Sequence, residues 1–360
     1  MSLRERRLAA TAWLTGPAPR RLALALAIGA LGGALFAWLR MPLAWMLGAM
    51  IATTVASMAG APVVVSNRLR TPMVAVLGVL LGSAFTADLM AGVGRWLPSI
   101  AALPVYVLLV GGATLIYLRR FARLDPKTAF FCAAPGGLTE MILLGERWGG
   151  DMRTISLMHG IRIFLVVLTV PFVVRQFEPG LDTQGALAAA GPVGAWDLAI
   201  MVGCGLLGLL AALWPWFPAP ALLGPMLLSA AAHLSGLAAG APPRAAVAAA
   251  QVVMGAAIGC RFAGVPTRAV LQGMLIGIGL TLVMLVVTLA VGIVLHALTG
   301  QPLTLLLLAL VPGGLAEMSL IALALHVDPA FVATHHIVRI GLVVLLAMPL
   351  FRLYRRWSKV

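Results

Sequence analysis

Two short runs carry residue types that an apolar chain has reason to exclude. Pro135-Gly136-Gly137-Leu138-Thr139-Glu140-Met141 recurs 177 residues later as Pro312-Gly313-Gly314-Leu315-Ala316-Glu317-Met318. Each combines a helix breaker, two flexible residues and a carboxylate. Backbone groups freed by Pro and Gly cannot go unpaired in hydrocarbon, so such a break belongs inside protein or beside a watery cavity. An ionisable residue at the break points to function. The chemistry suggested is ligand binding and exchange of protons or cations. Exposed amides and carbonyls would meet a ligand, and a half-helix starting after the break would aim its positive end at an anionic group. The bland alternative is a kink whose glycines let helices pack closely. The duplication, with Glu attached both times, favours a site.

Other residues belong to the same constellation. Glu140 and Glu317 are candidate proton carriers or cation ligands, since a carboxyl in apolar surroundings must take a proton or a counter-charge. Arg162 and Arg339 lie within apolar runs and need partners, and the two carboxylates are the obvious ones. His159 and Arg162, like His336 and Arg339, are three apart and share a helix face. With a glutamate, each pair makes a Glu–His–Arg relay that binds an anion or passes protons. Alternatively, each histidine only hydrogen-bonds within a packed bundle. His335 has no counterpart, because Met158 stands at its place in the first copy. Asp151 and Asp328 read as helix N-caps, the latter with Pro329 in the first turn. The substrate- or ion-binding set is therefore Pro135, Gly136, Gly137, Glu140, His159, Arg162, Pro312, Gly313, Gly314, Glu317, His336 and Arg339. No catalytic residue, metal ligand or cofactor is assigned.

The elements that must position these residues follow from composition. Of 360 residues, 62% are hydrophobic and 10% charged, and mean hydropathy is +1.05. That is a polytopic helical membrane protein, with the lipid bilayer as its first partner. The net charge of +14 sits in short gaps between apolar runs and at the two ends. This pattern suits cytoplasmic loops and a membrane surface, not nucleic acid. Cys132, Cys204 and Cys260 show no metal spacing and no disulfide framework.

A span needs about 20 apolar residues. Candidates in the first half are Leu22–Leu39, Pro42–Gly60, Pro72–Met90, Leu97–Leu118, Thr128–Gly145 and Ile155–Val174. The second half offers Trp196–Trp214, Ala219–Gly240, Ala246–Phe262, Ala269–Leu298, Leu303–Leu325 and Phe331–Phe351. The halves are repeats. Seven of eleven positions match between Pro135–Gly145 and Pro312–Ala322, and at the same offset Asp151, His159 and Arg162 match Asp328, His336 and Arg339. The chain divides into a basic cytoplasmic N-terminus (1–21), membrane repeat 1 (22–175), a linker (176–195), membrane repeat 2 (196–352) and a basic C-terminal tail (353–360).

The fifth segment of each half decides the topology. If it crosses, there are twelve spans and parallel repeats. If it dips in and returns, there are about ten transmembrane helices, two re-entrant or broken Pro-Gly-Gly segments, and inverted repeats. With an inside N-terminus, the first arrangement places 17 basic residues inside and 6 outside, the second 19 and 4. The count leans to inversion, the arrangement of secondary transporters.

The paired Pro-Gly-Gly-Leu-x-Glu-Met motifs, Asp151 and Asp328, and the run Thr334-His335-His336-Ile337-Val338-Arg339 resemble the AbrB membrane-protein family over almost the whole chain. The family shares a name with, but not the fold of, a soluble transition-state regulator. Its members carry conflicting labels: ammonia monooxygenase, regulator of gene expression and AbrB-type transporter. The resemblance therefore implies an architecture more than an activity. Five spans and a glycine-rich hairpin per repeat also look like the sodium–citrate symporter arrangement, which is analogy at the level of fold.

Three function classes remain. A membrane oxidoreductase would need copper or iron held by clustered His and carboxylates, and no His-x-x-x-His, Glu-x-x-His or Cys-x-x-Cys occurs. A regulator of gene expression would need an output domain, so any such effect would be indirect, through an altered solute pool. The expectation is a secondary transporter of a small solute or ion in the cytoplasmic (inner) membrane of a bacterium, with both termini cytoplasmic. Its site would form where the two Pro-Gly-Gly segments meet near the midplane, with one repeat's core moving against the rest. Small-residue faces such as Gly29-x-x-Gly32 permit a homodimer.

Overall fold

A computed structural model describes residues 19–85, 93–177, 193–214, 219–325 and 327–358. Most of the basic N-terminus, most of the linker, Asp88, His326 and the last two residues of the tail lie outside them. Fourteen helices are seen in this part: α1 (Pro19–Trp38), α2 (Ala44–Met58), α3 (Asn67–Gly82), α4 (Leu97–Arg120), α5 (Pro126–Ala133), α6 (Leu138–Arg147), α7 (Met152–Phe177), α8 (Ala195–Gly208), α9 (Pro220–Leu234), α10 (Arg244–Gly259), α11 (Thr267–Thr299), α12 (Leu303–Leu310), α13 (Leu315–Ala324) and α14 (Pro329–Ser358). Seven segments, built on α1, α4, α7, α8, α10, α11 and α14, are long and apolar enough to cross a membrane. The fold is an all-α polytopic membrane protein.

The fifth segment of each half is not one helix. Proline drives the residue before it out of the α region. Ala134 (φ −61, ψ 127) and Val311 (φ −52, ψ 130) accordingly end α5 and α12 after eight residues each. Eight residues rise only about 12 Å, well short of a bilayer core. The chain then turns and returns. The Asp151 N–H, just past α6, donates to Thr128 Oγ1 at the start of α5 over 2.8 Å. The two ends of the α5–α6 hairpin therefore open on one face.

The two hairpins open on opposite faces, and α14 measures the distance between them. Its first turn follows directly from α13, at the mouth of the α12–α13 hairpin. Its last turns reach the other mouth, where Tyr354 stacks on Phe130 (centroids 5.6 Å apart), Phe351 meets Trp148 (5.6 Å) and Arg355 lies over the Trp148 ring (5.6 Å). From Asp328 to Tyr354 the helix rises about 39 Å at 1.5 Å per residue. Each half therefore crosses an odd number of times, and the repeats are inverted.

Glycines record the same symmetry. A Cβ on Gly78 would strike the Leu222 carbonyl and one on Gly82 the Met226 carbonyl; Gly255 and Gly259 stand in the same relation to Met46 and Met50. These contacts join α3 to α9 and α10 to α2, equivalent pairs across the repeats. Gly32 against Gly48 and Gly208 against Gly224 fix the α1–α2 and α8–α9 crossings in the same way. Gly29 and Gly32 are buried against α2 and α10, so the face expected to admit a second copy is used within the chain.

Packing groups the helices by position in the repeat. The first three of each half, α1–α3 and α8–α10, form one bundle. The rest, α4–α7 and α11–α14, form another around the α4–α11 crossing. The bundles touch where α13 meets α3 and where α7 meets α2 and α10. Each body mixes helices of both repeats.

Candidate functional site

Pro135 and Pro312 have no N–H, so the carbonyls four residues earlier, on Phe131 and Leu308, lose their helical donors. The structure supplies replacements from the next long helix. His159 Nε2 on α7 donates to the Phe131 oxygen at 2.9 Å, and His336 Nε2 on α14 donates to the Leu308 oxygen at 3.0 Å. A carbonyl only accepts, which assigns the proton to Nε2 in both rings.

The arginines continue this role one turn on. Arg162 Nη1 donates to the Ala134 oxygen at 2.6 Å, and Arg339 Nη1 donates to Leu310 (2.6 Å) and Val311 (2.9 Å). These carbonyls are the negative ends of α5 and α12, a favourable place for a cation. His336 Nδ1 accepts from Arg339 Nη2 at 3.2 Å. In the first repeat His159 Nδ1 has no such donor.

The expected Glu–His–Arg relay is therefore not what these side chains build. Among the described residues no carboxylate pairs with Arg162 or Arg339; helix C-termini hold them instead. The glutamates lie in the first turns of α6 and α13, at the positive ends of the returning half-helices. Acids and bases that look like natural partners in the sequence are each balanced by a helix end.

The two breaks differ in conformation despite their shared sequence. Gly136 (φ +159) and Gly137 (φ +62) lead into α6, whereas Gly314 enters α13 at φ −78, ψ 144. The Glu140 carboxylate lies beside Gly137 on an exposed face with Thr139, Leu143 and Glu146. Glu317 is 6% exposed and folds back into the space a Cβ on Gly314 would fill. The Arg261 side chain passes Gly160 on α7. The structure thus places the glutamates in unlike surroundings and does not bring them into contact.

What it does bring together are the first break and the helix that carries Arg339. The two arginines are 2% and 1% exposed, and Gly136, just past the Ala134 carbonyl that Arg162 holds, faces Ile340, the residue after Arg339. Tyr106 on α4 bonds Thr288 on α11 at 2.9 Å, and Thr288 passes its own proton to the Met284 oxygen. Beside the Ala134–Pro135 break, α4, α5 and α14, with Met141 of α6, line an open apolar groove of about 400 Å³. Tyr106 and Arg261 were not singled out in the sequence. Tyr106 is one of only three tyrosines and sits in an apolar run, which was a usable signal.

Asp151 and Asp328 cap α7 and α14. Asp151 accepts from the Arg153 and Thr154 amides, and Asp328 from those of Ala330 (2.8 Å) and Phe331 (3.0 Å). The Thr154 hydroxyl, then these amides, hold the Asp151 carboxyl below its usual range, while burial raises that of Asp328. His335 lies 2.9 Å from Ser99 Oγ and 2.8 Å from the Phe331 oxygen, and has no such role in the first repeat. Among the described residues no group of three His, Cys, Asp or Glu could hold a metal ion.

The fold and these paired breaks define a polytopic membrane protein built from two inverted repeats with a broken hairpin in each. The chain belongs to the AbrB family: the model described as "Transition state regulatory protein AbrB" matches residues 45–355. It is 29% identical over 357 residues to "Uncharacterized protein YhjN" of Bacillus subtilis (strain 168), covering 91% of each chain. It is 26% identical over 155 residues to "Putative regulator AbrB" of Escherichia coli (strain K12), covering 43% of each.

Proposed function

We propose that this protein is a secondary transporter of a small solute, coupled to protons or cations, in the bacterial cytoplasmic membrane. The observation that carries the reading is the pair of re-entrant hairpins, broken at one duplicated motif and opening on opposite faces. Discontinuous helices of that kind place substrate and ion sites at the repeat interface. Glu140 and Glu317, at the start of the returning half-helices, are the coupling groups. Basic residues crowd the α5–α6 mouth and the end of α14, including Arg119, Arg120, Lys127, Arg352 and Arg355, and this charge pattern supports a cytoplasmic side for that face and for the C-terminus. The regulator named among its relatives fits as an indirect effect of solute level on gene expression.

The test is uptake and efflux in proteoliposomes under an imposed proton or sodium gradient. Glu140→Gln and Glu317→Gln are expected to abolish gradient-driven flux. Flux unchanged in both variants removes the carboxylates from the mechanism.

A further inference from the structure

Arg162 and Arg339 are the largest fully buried side chains among the described residues. Each contributes one full charge to the crossing of the second bundle. What balances them is a set of helix C-termini, which contribute at most about 2 kcal/mol to a partly buried cation. Removing an ion from water costs several kcal/mol even after relaxation. Tyr106 brings no charge, and its hydroxyl proton is already committed to Thr288, whose own proton goes to the Met284 carbonyl. Glu317, the only buried acid among the described residues, folds back against Gly314 at the tip of its own hairpin.

The hydrogen bonds are incomplete in the same place. Arg162 Nε and Arg339 Nε are buried donors with no partner in the described structure. Both guanidinium groups are fastened through Nη1 to backbone carbonyls, so their orientation is fixed while the Nε edge is left over. A guanidinium presents that edge as a donor suited to a carboxylate or phosphate oxygen. One such edge would read as a local defect. Two, from equivalent positions of inverted repeats, with the break that anchors Arg162 packed against α14 at Ile340 and Val343 beside Arg339, make a shared receptor with twofold character.

From this we infer that the cargo is a small oxyanion, held between Arg162 of the first repeat and Arg339 of the second by the Nε–H of each. This rests on the transporter reading and names its substrate class. The anion supplies the missing counter-charge and the two missing acceptors together. Cationic and neutral solutes supply neither.

The experiment uses the full-length protein purified in detergent, with thermal unfolding followed at constant ionic strength. The probes are malonate, acetate, sulfate and inorganic phosphate, against chloride, choline and glucose. Mass action requires a bound ligand to raise the unfolding midpoint saturably. At least one oxyanion is expected to do so, and choline and glucose are expected to do nothing. Arg162→Lys and Arg339→Lys keep the charge but lose Nε, and each is expected to weaken that oxyanion at least tenfold. Wild-type protein that saturates with no oxyanion, or lysine variants that bind as tightly as wild type, overturns the inference. Should the variants fail to fold, the wild-type selectivity alone decides it. Saturable oxyanion binding without flux in proteoliposomes keeps this site and removes the carrier. Coupled flux of a cation or neutral solute, with no oxyanion bound, does the reverse.

Discussion

His159 and His336 show how one side chain can repair a backbone. Proline removes a donor, and the imidazole supplies it to the same carbonyl. This makes a sharp prediction about pairs. His159→Ala leaves the Phe131 oxygen buried and unpaired, at a cost of about 1–3 kcal/mol. Pro135→Ala in the same chain returns an N–H four residues after Phe131 and is expected to recover part of that loss. A double-mutant cycle on thermal or denaturant unfolding measures the coupling, and additive losses would mean the histidine is not standing in for the proline. His336 and Pro312 should behave alike, with a larger loss, because His336 also accepts from Arg339. The sequence made the spacing of these residues visible but not their roles. Matching Glu to Arg by charge is natural when helix ends cannot be seen. Once α5 and α12 are known to stop at the proline, the carbonyls become the nearer partner.

At the scale of elements, the hairpins were legible as breaks, and the proline explains where each one falls. Their unlike tips were not legible, since the sequence around them is nearly the same. The difference is one of backbone state, and substitutions can read it. Gly137→Ala places a Cβ at φ +62, which costs about 1–2 kcal/mol wherever the neighbours sit. Gly314→Ala has an ordinary φ, but its Cβ meets the Glu317 carboxylate. Glu317→Ala should therefore rescue Gly314→Ala, while Glu140→Ala should leave Gly137→Ala as damaged as before. Unfolding midpoints of the four single and two double variants decide this; equal rescue at both tips would contradict the asymmetry. The caps give a plainer expectation. Asp151→Ala should cost about 1 kcal/mol. Because the Asp151 carboxyl is held below its usual range, its stabilising effect is present above that range. It is lost as pH falls through the depressed value, so the wild-type advantage over Asp151→Ala should shrink in acid.

Across the whole molecule, the duplication, the helical class and the membrane setting were readable from residue pattern alone. The inversion was only suggested by a charge count, and it took the length of α14 between two hairpin mouths to fix it. The two mixed bundles had no sequence signal, because contact between α3 and α9 or between α10 and α2 depends on glycines meeting backbone carbonyls more than 100 residues away. Their arrangement is one-sided. Thr139 and Glu140 face outward from α6, whereas Ala316 and Glu317 are buried where α13 packs near α3. Inverted repeats with unequal tips have a natural second state in which the inequality is exchanged, and a carrier must visit both. With Cys132, Cys204 and Cys260 replaced by serine or alanine, Thr139→Cys should react readily with a membrane-impermeant thiol reagent and Ala316→Cys slowly. Cargo or an imposed ion gradient should slow the first and speed the second, from the opposite side of the membrane. Two rates that never respond to any solute or gradient would describe a rigid bundle, and no rearrangement of the bundles would then need to be invoked.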